Sequence, residues 1–351
     1  MKAAFRWLWL PFKDATSTAM SAEGRQQVLS TPLYANSIYL MATSAATAAL
    51  GFAFWMVVAR LYTAEAVGLG SALLSAAALV SYVASLGLGM GLIRFLTDAR
   101  GSVAALINSC FTITGFIALI LSTIFLAGLP LWSPAMSFVW DNPGFAVAFV
   151  IFATASSLYG LLSEVFVALR RTEFLLVQGI FFGLLKLGLV VVLAGLFEAF
   201  GIFASWGLAA TAMLGLGLLL FLPRLLPAYR PVPTLRRQVS SEMIHFSFAN
   251  YVGTGLWSAP SWLLPLLVVN MLGSEVNAYF YLSWAMASLL FVIPLSAATS
   301  LFAEGSHQKG YLARDAMRSL KLILVLLLPA IAVMVVAGDK LLLLFGREYS
   351  L

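Results

Sequence analysis

One cysteine, Cys110, and two histidines are all that the chain has of those metal-binding side chains. That scarcity excludes a disulfide framework and any Cys/His metal cluster, and no cofactor is expected. Charge is nearly as scarce. Only 10% of the 351 residues are Asp, Glu, Lys or Arg, and 62% are hydrophobic, whereas a water-soluble domain carries about 25% charged and about 45–50% apolar residues. The chain therefore belongs in a bilayer.

Apolar runs predict nine helices, near 33–60, 67–93, 103–128, 145–169, 174–197, 200–222, 246–271, 277–302 and 319–337. Each reaches the roughly 20 residues that cross about 30 Å of hydrocarbon. In lipid every backbone amide must be paired internally, and these runs are too long and too uniformly apolar for barrel strands. The fold class is an all-α integral membrane protein, a polytopic helical bundle.

Lys and Arg fall almost wholly on one side of it. The N-terminal segment holds Lys2, Arg6, Lys13 and Arg25. Every second connection after it is basic: Arg94 and Arg100; Arg170 and Arg171; Arg224, Arg230, Arg236 and Arg237; Lys309, Arg314, Arg318 and Lys321. The alternate connections have only Arg60, Lys340 and Arg347. The positive-inside rule then puts the N-terminus in the cytoplasm. The net charge of +6 is spread over these connections, which fits contact with anionic membrane lipids and excludes a nucleic-acid-binding patch. Residues 1–32 read as an interfacial segment in which FRWLWLPFK lies on the surface, anchored by Trp7 and Trp9.

Two helical hairpins recur. Tyr34-Ala35-Asn36 opens the first helix as Phe248-Ala249-Asn250 opens the seventh, and Glu65 aligns with Glu275; the offsets are 214 and 210 residues. An even number of helices separates the copies, so both start on the same side of the membrane. The organisation read from this is a first six-helix lobe over 33–222, a proline-rich basic linker over 223–245, and the first three helices of a second lobe over 246–351. On that register the second lobe is truncated, and the chain ends at LLLLFGREYSL before a tenth helix.

FWMVVARLYTAEAVGLGSALLSAAALVSYVASLGLGMGLIRFL (54–96) and YFYLSWAMASLLFVIPLSAATSLFAEGS (279–306) resemble the lipid-linked polysaccharide (O-antigen type) flippases of the multidrug/oligosaccharidyl-lipid/polysaccharide exporter superfamily. The resemblance runs from about residue 30 to the end. It implies two six-helix lobes around a central cavity that opens alternately to either side of a bacterial cytoplasmic membrane. It also implies a lipid-linked glycan as substrate, with polysaccharide polymerase machinery as a candidate partner.

Polar residues inside the helices are the candidate substrate site. Asn36, Thr43, Thr47 and Gly51 share one face of the first helix, and Ser247, Asn250, Thr254, Trp257, Ser258 and Ser261 make the matching stripe on the seventh. In lipid such groups either bind helices together or line a wet cavity. Trp257 and Trp262 offer faces for stacking on sugar rings or for packing. Pro260, Pro265, Pro294 and Pro329 favour kinks, and Gly87, Gly89 and Gly91 make the end of the second helix either soft or closely packed. Within GLLKLGLVVVLAGL (183–196), Lys186 lies 12 residues past Phe174, about 18 Å into the membrane. A charge at that depth costs about 2.5–3.5 kcal/mol and normally faces the bundle interior. Lys186 is expected either to face the diphosphate or acidic sugar of the substrate, or to pair with Glu164, the one acid within the first-lobe helices and a candidate coupling residue.

The function read from this is a non-enzymatic flippase. A drug/cation antiporter of the same superfamily is the second reading. A polytopic glycosyltransferase or ligase is the third, and it would need acids gathered on the outer face, where Glu65, Asp141, Glu198, Glu275, Asp339 and Glu348 stand scattered through short loops. The topology has a direct test. In a Cys110-free background, a cysteine at Ser137 should react with an impermeant reagent from outside the cell and one at Thr234 only from inside; the reverse pattern overturns the orientation.

Overall fold

The computed structural model describes residues 32–96, 103–227, 229–235, 241–291, 294 and 312–349. The N-terminal segment with Trp7 and Trp9, and the basic residues Arg100, Arg236, Arg237 and Lys309, lie outside the described residues. Every regular element among the described residues is helical: α1 (Pro32–Leu61), α2 (Ala64–Ser85), α3 (Leu88–Phe95), α4 (Val103–Trp132), α5 (Pro143–Ala168), α6 (Thr172–Leu193), α7 (Glu198–Leu216), α8 (Ser241–Met271), α9 (Ser274–Ser288) and α10 (Leu312–Leu342), with short turns between. Eight of these are long and apolar enough to cross a membrane, α7 being lengthened to Leu225 by a π-helical turn. The protein is an all-α polytopic membrane protein. The ninth expected span, 277–302, begins as α9 and continues largely outside the described residues.

Helix α2 is the hub, in contact with α4, α5, α7, α8 and α9. Its sequence permits this because its buried positions are mostly small: Gly68, Gly70, Ser71, Ala72, Ser75, Ala76 and Ala77. Thr63 caps its start by accepting from the Ala66 amide at 3.2 Å, which relieves one of the unpaired donors of a helix N-terminus. At Gly68 an added Cβ would stand 1.7 Å from the Ser274 carbonyl oxygen. Asn277, with no exposed surface, seals the same spot: its amide donates to Gly68 O at 2.7 Å and Ser71 Oγ at 3.1 Å. Glu65 and Glu275 hold the second positions of α2 and α9, so the aligned residues of the repeat occupy the same register in two helices that touch.

The expected single helix over 67–93 is two helices. Leu86 and Gly87 both adopt left-handed backbone, with φ of 46° and 71°, and α3 starts anew. Gly87 suits the break because it has no Cβ to strain, and a Cβ there would lie 3.0 Å from that of Tyr251 on α8. Gly89 and Gly91 are close-packing glycines: a Cβ would meet Glu164 Cγ at 2.7 Å in the first case and Met243 Cε at 2.6 Å in the second.

Two large apolar clusters and a smaller one around Phe182 and Met213 form the core among the described residues. One large cluster, around Phe54, Phe149, Phe203, Leu282 and Phe345, occupies the half of the bundle away from the basic connections. The other large cluster, around Leu92, Ile107, Phe166 and Met243, fills the basic end. The chain's last described turn belongs to the first cluster: Phe345 packs edge-on against Phe52, and Arg60 Nε donates to Leu344 O at 3.0 Å. The linker is pinned along α4, where Asn108 Nδ2 donates to Arg230 O at 2.7 Å and the Thr234 amide to Thr112 Oγ1 at 3.0 Å. Gly68→Ala forces α2 and α9 apart, and its thermal midpoint should drop by about 3 °C or more. Gly51→Ala, where nothing lies within 4 Å, should shift it by no more than about 1 °C. Equal midpoints for the two variants would contradict the close packing at Gly68.

Candidate functional site

A cavity of about 600 Å³ lies between α2, the start of α3, α5 and α7 on one side and α8 with Tyr281 of α9 on the other. It reaches from mid-bundle, at Leu74 and Phe203, to the break at Gly87 and Gly89. Hydroxyls and rings make its polar wall. Ser75, Ser81, Ser85, Ser156 and Ser157 come from α2 and α5, and Asn250, Thr254 and Ser261 from α8. The Ser157 hydroxyl donates to Ala153 O at 2.8 Å and can accept from that of Ser81, 3.0 Å away. Tyr82 lies flat on Tyr251, with centroids 4.6 Å apart and planes 3° from parallel, and packs against Trp262 at 4.5 Å. The Tyr82 hydroxyl donates to the Tyr251 carbonyl. Glu164 is the only charged residue among those lining the cavity.

Lys186 is not on this wall. It is 4% exposed, and its Nζ sits 3.9 Å from the ring centroid of Trp206, 4.9 Å from Phe54 and 5.1 Å from Phe182. Trp206, the ring nearest the ammonium of these three, itself lines the cavity, and Lys186 does not. The expected pair with Glu164 is also absent, since neither residue forms an ion pair among the described residues. The physical reason is that three aromatic faces already stabilise the cation, each desolvated contact contributing about 2 kcal/mol or more.

The stripe on α1 is turned away from the cavity as well. Asn36 Oδ1 accepts from Thr172 Oγ1 at 2.8 Å, and Thr43 and Thr47 bond back to the carbonyls of Tyr39 and Thr43, both at 2.7 Å. Gly179 of α6 sits over Thr47, where a Cβ would be 3.2 Å from its methyl, and Gly183 sits over Leu50. These residues join α1 to α6, the commoner use of small polar groups in lipid. The α8 stripe divides: Asn250 and Thr254 face the cavity, while Trp257 is 73% exposed and meets Phe291 edge-on, and neither it nor Ser258 lines the wall.

Apart from Glu164, sequence reasoning did not single out the residues of the α2 and α5 walls. Their signal was present as Ser71, Ser75, Tyr82 and Ser85 on one face of α2 and as Ser156, Gly160 and Glu164 at four-residue spacing on α5. The outer acids are less scattered than expected: Glu65, Glu275 and Glu348 share a second cleft of about 790 Å³ with Arg60, Tyr62 and Tyr279. No group of acids, histidines or cysteines among the described residues is placed to hold a metal ion.

Residues 57–350 match the profile of a family described as polysaccharide biosynthesis protein. The chain belongs to that family. The family member described here is similar in fold to a solved structure, an inward-facing conformation of a multidrug resistance MATE family transporter of the MOP superfamily. The TM-score is 0.50 at 15% identity, over 84% of this chain and 73% of that one. Comparison with curated proteins found no match. The separation of Lys186 from Glu164 is open to a double-mutant cycle. Lys186→Met and Glu164→Gln should change thermal stability additively within about 0.5 kcal/mol; a coupling energy well above that would show that the two charges meet.

Proposed function

We propose that this chain is a non-enzymatic transporter that moves a lipid-linked oligosaccharide across the bacterial cytoplasmic membrane by alternating access. The observation that carries the reading is the cavity between α2, α5 and α7 on one side and α8 on the other, walled with hydroxyls and aromatic rings. Such a lining suits a carbohydrate: ring faces stack on sugar C–H surfaces, and Ser, Thr and Asn side chains exchange hydrogen bonds with sugar hydroxyls. The lipid tail needs no pocket, because it can remain in the bilayer while the head group crosses. Family membership supports the polysaccharide pathway, and the likeness in fold to a MOP superfamily transporter supports an exporter.

The arrangement of the two ends supports the mechanism. The cavity extends toward the basic end, at Gly87 and Gly89, while Gly68, Ser274 and Asn277 close the opposite end. With the basic end in the cytoplasm, this is an inward-facing state. A cation antiporter is the second reading, favoured by one observation: Glu164 lines the cavity without a basic partner among the described residues.

The test is reconstitution. Proteoliposomes containing a fluorescent polyprenyl-diphosphate oligosaccharide should show protein-dependent movement of the head group between leaflets, read by an impermeant quencher. Asn250→Leu together with Thr254→Val should lower the rate about tenfold or more, the effect of losing two polar contacts. Head-group movement equal to that of protein-free vesicles, alongside cation-driven efflux of a lipophilic dye, would overturn this reading in favour of the antiporter.

A further inference from the structure

Among the described residues the cavity wall carries hydroxyls, amide and rings, and a single charge of negative sign. Lys186 does not line it, its Nζ being held among three rings. Among the described residues of the wall, Glu164 therefore sets the electrostatics of the space. Its stem packs against Gly89, where an added Cβ would lie 2.7 Å from Glu164 Cγ, and it stands one turn beyond Gly160 on the wall of α5. A carboxylate beside a weakly polar cavity, with no ion-pair partner among the described residues, gains from any ligand that brings a positive charge and is opposed by any that brings a negative one. The same cavity is lined by the surfaces a sugar ring would use, the Tyr82, Tyr251 and Trp262 group.

We propose that Glu164 makes this cavity a charge filter on the sugar: among lipids that share the same diphosphate, it favours a sugar carrying a free amine over a neutral one and disfavours an acidic one. Its ligand class is an amine-bearing sugar, with the ammonium against Glu164 and the ring on the Tyr82–Tyr251–Trp262 surface. This rests on the reading of the chain as a carrier of lipid-linked glycans, and it reverses the expectation that a lysine greets an acidic sugar here. Specificity arises as much from repulsion as from attraction, since a uronic acid would bring a second carboxylate into the same poorly solvated space.

The experiment uses the whole chain in nanodiscs and three fluorescent polyprenyl-diphosphate lipids that differ only in the sugar: glucosamine, N-acetylglucosamine or glucuronic acid. Affinity is read by anisotropy. Glucosamine should bind about tenfold tighter than the N-acetyl sugar, as a charge-assisted contact warrants, and glucuronic acid weakest. Glu164→Gln should bring the three within about twofold of one another, and Glu164→Asp should keep the order. Thermal midpoints of both variants separate loss of binding from loss of folding. Should Glu164→Gln leave the order unchanged, or weaken all three sugars equally in a protein of normal stability, the filter is overturned while the glycan reading stands. A sugar-free cation, benzyltrimethylammonium, that displaces the glucosamine lipid at equal affinity would also overturn it, by making the ammonium alone the ligand. If none of the lipids binds, both the filter and the glycan reading fail.

Discussion

The closeness of α2 to its neighbours is the constraint on which the bundle depends. A helix surrounded by five others must have very little side chain of its own, and α2 meets that demand with glycine, alanine and serine at nine of its thirteen buried positions. In lipid the reward for this is dispersion and short polar contacts, because apolar side chains gain nothing from leaving a solvent as apolar as themselves. Asn277 reaching the Gly68 carbonyl shows both parts at once. Absence of a Cβ brings the backbones together, and the exposed carbonyl then finds a donor.

The cavity is a consequence of the same helix. Where α2 touches α9 it leaves no space, and where it diverges toward the break at Leu86 and Gly87 it leaves a volume whose walls keep the serines that served as small residues elsewhere. Small hydroxyl residues thus do two jobs along one helix, packing at one end and hydration at the other. Lys186 illustrates a parallel economy of materials: rings that fill the core also solvate a charge that water cannot reach.

Fold class and most of the membrane spans were legible because they depend on run length and composition, which a linear sequence displays. The candidate site was legible only in part. Asn250 and Thr254, singled out because their stripe is polar against an apolar background, do line the cavity, which says where they lie and not what they bind. Asn36, Thr43 and Thr47 gave the same signal for a different purpose, since periodicity reports that a face is polar and not whether it meets water or another helix. The break after Ser85 was hidden because Leu86 continues the apolar run and only its backbone departs from helix. Lys186 was misplaced for a related reason: depth can be counted along a helix, but the identity of the neighbours, Phe54 from α1 and Trp206 from α7, is a tertiary fact.

The fastened linker has a mechanical meaning. Arg230 and Thr234 are tied to α4, so the covalent path from that anchorage to the start of α8 runs only from Leu235 to Ser241. Fully extended, those six steps span about 20 Å. The leash is short compared with the length of a membrane helix, and it is attached at the basic end alone. A body held on such a leash can tilt about its tethered end far more readily than it can slide along the bilayer normal or drift away in the plane. A tether so placed favours rocking over sliding for any movement of α8 and α9 against the rest of the bundle, and such rocking would have to part the contact where Gly68 meets Ser274.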